Sequence, residues 1–204
     1  MNGCIHTLPS KPSLKEIARY MRMGSSAPDG ILAERVHALL ELTVSTIRPE
    51  CIWRRFPILD GLIGSKHLQF AVSDSLAAHL GGCHDVYLVC GTIGTGFDAL
   101  QRKASATSAS DSLILQAIGA AMIEDLMDNA ESEIRKELAE CESLTPRYSP
   151  GYGNFPLDAQ RAILDLLDAP RRIGVSLTDT LLMAPSKSVS AVIGVTPHQV
   201  QGLF

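Results

Sequence analysis

The chain has 204 residues, of which 46% are hydrophobic and only 5% aromatic, and its 18 basic and 22 acidic side chains leave a formal net charge of -4. This hydrophobic content excludes disorder, the mild acidity lacks the basic stripe of a nucleic-acid binder, and no run of about 20 uncharged apolar residues exists to span a membrane. The charge is uneven, because Glu124 to Glu142 holds eight acids and two bases, a balance of -6, and the rest of the chain is therefore net basic.

Ser13 and Glu16 form a capping-box pair that starts a helix at Leu14, expected to reach about Met23 before Gly24-Ser25-Ser26. Asp29 opens a second helix. Its apolar positions Ile31, Leu32, Val36, Leu39, Leu40, Val44 and Ile47 recur at helical spacing, and Pro49 ends it. Cys51 to Leu59 reads as a strand, Leu62 to Phe70 as a second extended piece, and Ser73 to Leu80 as a short helix closed by Gly81-Gly82. Asp85 to Cys90 is apolar without alternation, as a central strand buried on both faces should be, and it ends in Gly91-Thr92-Ile93-Gly94.

Helices are expected from Thr95 to Ala104 and from Ser110 to Glu142. In the second, Leu115, Ile118, Met122, Leu126, Ala130, Ile134 and Leu138 form one continuous stripe, which assigns the clustered acids to a solvated face. A loop rich in Pro, Gly and Tyr leads to a helix over Leu157 to Leu167. Two strands, Thr180 to Ala184 and Ser188 to Val195, are expected to join across Pro185-Ser186-Lys187. The mixture of helices and non-alternating strands reads as one α+β (mixed α/β) domain over 1–204, with an N-terminal helical part at about 13–48 and a core at about 51–195.

Several chemistries lack the residues they need. Cys4, Cys51, Cys83, Cys90 and Cys141 are odd in number and scattered, without the spacing of a zinc site, and read as reduced thiols of a cytoplasmic protein. The N-terminus has no basic flank followed by an apolar signal core, so export is not expected. Gly91-Thr92-Ile93-Gly94-Thr95-Gly96 invites a phosphate loop, but its spacing is neither G-x-G-x-x-G nor a P-loop, and a tight strand-to-helix turn is the better reading. His79 and His84 near Cys83 read as a polar rim. No catalytic triad, metal cluster or D-x-H-x-x-G corrinoid-ligand segment stands out.

Arg147-Tyr148-Ser149-Pro150-Gly151-Tyr152-Gly153-Asn154-Phe155-Pro156 is the most informative segment. Proline stiffens such a loop and glycine admits close approach, while Arg147 offers a planar fork to a carboxylate and Tyr152 a ring to an adenine or a cation. The residues alone leave two accounts open, a ligand loop or a structural loop with its aromatics packed inward.

Arg147-x-x-x-Gly151-Tyr152 resembles the signature loop of the activation (reactivation) domain of cobalamin-dependent methionine synthase. Ile173-Gly174-Val175-Ser176-Leu177-Thr178-Asp179-Thr180, followed by Met183-x-Pro185-x-x-Ser188-Val189-Ser190, is similar to that family's second motif, with Asp179 and Thr180 as conservative changes. Thr92-Ile93-Gly94 after a buried strand fits too, and the likeness runs from about residue 84 to 194. It implies a largely antiparallel twisted sheet with several helices, in a short free-standing version of the domain.

The resemblance also implies a function: binding S-adenosylmethionine and supporting reductive remethylation of cob(II)alamin. Arg147 would grip the ligand's carboxylate, and Ser149, Gly151 and Tyr152 would line the adenosyl part. Glu124 would be the acidic contact, with Glu16 available as a second acid. The chain lacks corrinoid and zinc ligands. The cobalamin is therefore expected on a partner, a methionine synthase core or another corrinoid protein, with electrons from a flavodoxin-like or iron–sulfur donor. The alternatives are a non-catalytic S-adenosylmethionine-binding or corrinoid-protein interaction module, and an unrelated nucleotide-binding enzyme built on Gly91 to Gly96.

Overall fold

The computed structural model describes residues 3–5, 12–23 and 28–197. The elements begin with β1 (Gly3–Ile5), α1 (Leu14–Tyr20), α2 (Gly30–Thr46), β2 (Glu50–Leu59), β3 (Leu62–Gly64) and β4 (Gln69–Ala71). They continue with α3 (Asp74–His79), β5 (Asp85–Thr92), α4 (Thr95–Thr107), α5 (Ala109–Glu137) and β6 (Glu142–Leu144). The last are α6 (Ala159–Leu167), α7 (Ala169–Arg172), β7 (Ser176–Leu177), β8 (Met183–Ala184) and β9 (Ser188–Pro197).

The sheet is antiparallel at every pairing and runs β4-β3-β2-β5-β9-β6, with β1 added to the outer side of β2. β5 lies between β2 and β9, with Cys90 opposite Ile52 on one side and Ser190 on the other. Its lack of alternation has a simple cause: helices cover both faces. Tyr87 and Val89 pack with α1, α2, α4 and α5, while Val86, Leu88 and Cys90 pack with α3 and α6.

Five expectations are corrected. Leu62 to Phe70 is not one extended piece but a hairpin, β3 and β4, closed where the Ser65 N–H donates to the Leu68 carbonyl at 2.7 Å. Thr180 to Ala184 contributes only the two residues of β8, which pair with β7 and not with β9. Ile31, placed on the apolar stripe of α2, is 87% exposed, since the core begins only at Val36. The long helix stops at Glu137 instead of Glu142. There the Glu142 carboxylate accepts the Ala139 N–H at 3.1 Å and the chain joins β9, a tertiary pairing that outweighs local helix propensity. The first helix ends at Tyr20 with Met21 as its cap, short of the expected Met23, and Gly24-Ser25-Ser26 lie outside the described residues.

α1 has seven residues, far fewer than an isolated helix needs, so its packing must hold it. Ile17 is fully buried in the core that includes Ile118 and Met122 of α5, worth roughly 2 kcal/mol for one such side chain. Ser13 Oγ accepts the Glu16 N–H at 3.1 Å and caps the first turn, adding about 1 kcal/mol. The Glu16 carboxylate does not complete the expected box, and pairs instead with Arg19 at 2.5 Å. These contacts seat the first turn of α1 beside the middle of α5.

Candidate functional site

After β6 the chain continues along β9 as an interrupted edge. The Thr145 N–H donates to the Gly194 carbonyl at 2.9 Å, and Tyr148 and Val192 exchange two backbone bonds of 2.9 Å each. Arg147, between these anchors, projects toward α5. Its Nη2 donates to Glu124 Oε2 at 3.0 Å, while Nη1 lies 2.8 Å from Asp128 Oδ1 and 3.6 Å from Glu131 Oε2. Nη1 is nevertheless buried without an aligned hydrogen bond, so its carboxylate neighbours attract it as charges and leave its N–H directions unused.

Arg147 sits at the wall of a cavity of about 590 Å³, within the size range of small-molecule sites. Pro12, Ser13, Glu16 and Arg19 form one side of it, and Ala121, Glu124, Asp125 and Asp128 of α5 the other. Four carboxylates against two guanidiniums make it net negative. The Tyr20 phenol, next to this rim, is held above its ordinary pKa, first by burial and then by the Glu124 charge.

The spacing of the acids explains how one helix supplies three lining groups. Glu124 and Asp128 are four apart, so they share a face of α5, and Asp125 stands beside them. None of the eight clustered acids is buried, as expected of a solvated face, and three of them line the cavity. Beyond the cavity, Glu137 accepts from Trp53 Nε1 at 3.1 Å, Glu142 pairs with Arg55 at 2.6 Å, and Glu133 pairs with Lys136.

Of the expected site residues, the structure brings Arg147 and Glu124 together, with Glu16 on the opposite wall. Ser149, Gly151 and Tyr152 follow on the same loop but outside the cavity's lining. There the Gly151 N–H donates to the Phe155 carbonyl at 2.8 Å and the Phe155 N–H to the Tyr152 carbonyl at 2.9 Å, a compact turn. The loop's aromatics divide: Phe155 is buried, whereas Tyr152 is 64% exposed with its ring 6.0 Å from that of Tyr148. Sequence reasoning missed Asp125 and Asp128. Their position one residue and one helical turn beyond Glu124 was the available signal.

Gly91 to Gly96 forms the expected turn. Gly94, at φ +84°, caps α4, and a Cβ on Gly96 would stand 2.4 Å from the Thr46 carbonyl oxygen. Close packing against the end of α2 therefore accounts for these glycines. Cys51, Cys83, Cys90 and Cys141 form no disulfide, and burial pushes the Cys83 and Cys90 thiols above the ordinary thiol pKa. Among the described residues, no helix is long and apolar enough to cross a membrane.

The sequence matches the family described as "Vitamin B12 dependent methionine synthase, activation domain" over residues 63–200. The chain belongs to this family. A solved structure described as the MetH reactivation domain bound to AdoHcy is similar to it, with a TM-score of 0.63 and 16% identity over 100% of this chain and 80% of that one. At that identity the likeness establishes a shared fold: helices around an antiparallel sheet, the α+β class expected from the sequence. No curated protein matches the chain. The family match takes in the signature loop, the end motif and α5, and leaves α1 outside it.

Proposed function

We propose that this chain is an S-adenosylmethionine-binding reactivation subunit for a cobalamin-dependent methionine synthase or a related corrinoid protein. The observation that carries the reading is the convergence of Arg147 with Glu16, Glu124, Asp125 and Asp128 on one cavity in a chain of the activation-domain family. S-adenosylmethionine is a methyl donor with an ammonium, a sulfonium and a carboxylate, and the cavity's charges match all three. The Arg147 guanidinium suits the carboxylate, and the acids suit the two cationic centres. Ser149, Gly151 and the exposed ring of Tyr152 stand on the adjoining loop, where an adenosyl group would extend.

The chain's own part is to hold the methyl donor at one orientation and to keep water from it. A partner would bring the cobalamin, and a flavodoxin-like or iron–sulfur protein one electron. Overall, cob(II)alamin, one electron and S-adenosylmethionine give methylcobalamin and S-adenosylhomocysteine. The test combines the purified chain, a partner loaded with cob(II)alamin, a reductant and methyl-labelled S-adenosylmethionine. Label in methylcobalamin only when the chain is present supports reactivation. Calorimetric binding without label transfer selects the non-catalytic binding module, and no binding at all overturns both.

A further inference from the structure

Arg147 is fixed by the backbone bonds to β9 on either side of it, whereas Tyr152 lies beyond them. Between Tyr148 and Phe155 the loop has no neighbouring strand of its own and rests on the start of α3. A Cβ on Gly153, which is at φ +54°, would stand 2.7 Å from Ser75 Cβ and 2.9 Å from the Tyr148 hydroxyl, so the backbone lies directly against that helix. Next in the chain, Asn154 makes a reciprocal pair. Its Oδ1 accepts the Ser75 N–H at 2.9 Å, and its own N–H donates to Ser75 Oγ at 3.1 Å. Asn154 Nδ2 points to Asp74 Oδ2 at 3.5 Å. From the other end of α3, His79 Nε2 lies 2.8 Å from the Pro146 carbonyl oxygen, and its ring stacks on Tyr148 at 4.7 Å.

We propose that Asn154 is a positioning residue: by clipping the loop to Ser75 it sets the backbone that carries Tyr152 before a ligand arrives. The inference rests on the ligand reading above and names the support that α3 gives to that same site. Neither Asn154 nor Ser75 lines the cavity. An unclipped loop would have to be ordered on binding, and that entropy would come out of the affinity.

The experiment measures S-adenosylmethionine binding by calorimetry on the full chain, together with backbone amide exchange at Tyr152 and Phe155 without ligand. Asn154→Ala should weaken binding about fivefold, the worth of one hydrogen bond, and speed exchange at both amides. Asn154→Asp should weaken it further, because it places a carboxylate against Asp74. Adding Asp74→Asn to that variant reverses the polarity of the pair and should return both binding and exchange to near wild type. A general loss of stability would not be rescued in this way. Wild-type binding with an unchanged Asn154→Ala, or no rescue by the swap, overturns the positioning role alone. No binding by the wild-type chain overturns the ligand reading together with it.

Discussion

Two arginines in this molecule each face several carboxylates, and they are satisfied in opposite ways. Arg55 on β2 is saturated: Nε donates to Asp85 at 2.7 Å, and Nη1 and Nη2 donate to the two oxygens of Glu142 at 3.0 and 2.6 Å. His84 Nε2 lies 3.2 Å from the same Glu142 carboxylate. Arg147 has more acids in reach, but of these Glu124 takes an aligned hydrogen bond while Asp128 and Glu131 stand as charges beside Nη1, next to a cavity. The difference separates an arginine that ties strands β2, β5 and β6 together from one that, in the proposed function, exchanges an acidic neighbour for the ligand's carboxylate. Fork-to-fork alignment marks the structural role of Arg55.

The largest expected effect comes from Arg147→Ala. Affinity for S-adenosylmethionine, read by calorimetry, should fall about a hundredfold or more, with little change in melting temperature. If binding persists unchanged, the contrast between the two arginines has no functional meaning. Arg55→Ala should do the reverse, lowering stability by about 2 kcal/mol in urea melts while affinity holds. That is less than a fully buried pair is worth, because 31% of the Arg55 side chain still meets water.

Acid titration of folding sharpens the same comparison. Arg55, chiefly through its hydrogen bonds, holds Glu142 down at about 2, from an ordinary value of 4.5. A carboxylate whose folded pKa is depressed contributes stability that is complete above its unfolded pKa and disappears as pH falls through the folded one. Stability should therefore decline between about 4.5 and 2, and Glu142→Gln should flatten that part of the profile. A profile unchanged by the substitution would show that Glu142 does not couple to folding. The smallest effect is ionic. Raising salt from about 50 to 500 mM should weaken ligand binding a few-fold, because a net-negative cavity open to solvent is screened. Arg55-dependent stability should change less.

Much of the frame was legible from local rules. The unalternating run Asp85 to Cys90 signals a strand covered on both faces, and β5 is that strand. Ser13, Ser73 and the glycines before Thr95 mark helix starts because capping is a property of a few adjacent residues. The end of α5 was not legible. No glycine or proline lies between Glu137 and Glu142, and the stop depends on Glu142 meeting Arg55, 87 positions away in sequence. The hairpin of β3 and β4 was missed for a related reason, since its turn is closed by a backbone bond that no residue type announces.

The site divides along the same line. The residue types of the loop from Arg147 to Pro156, and the acids four apart on α5, were settled by the sequence itself, because motif spacing and helical period are local. The sequence also singled out Arg147 and Glu124 as candidates, although their link came from a likeness in residue pattern and not from any contact it could specify. Only the tertiary structure brought Glu16 and Asp128 to the same cavity as Arg147, set Tyr152 outward and Phe155 inward, and laid Asn154 on Ser75. Such contacts join residues 19 to 131 positions apart, and packing, not local preference, decides which of them meet.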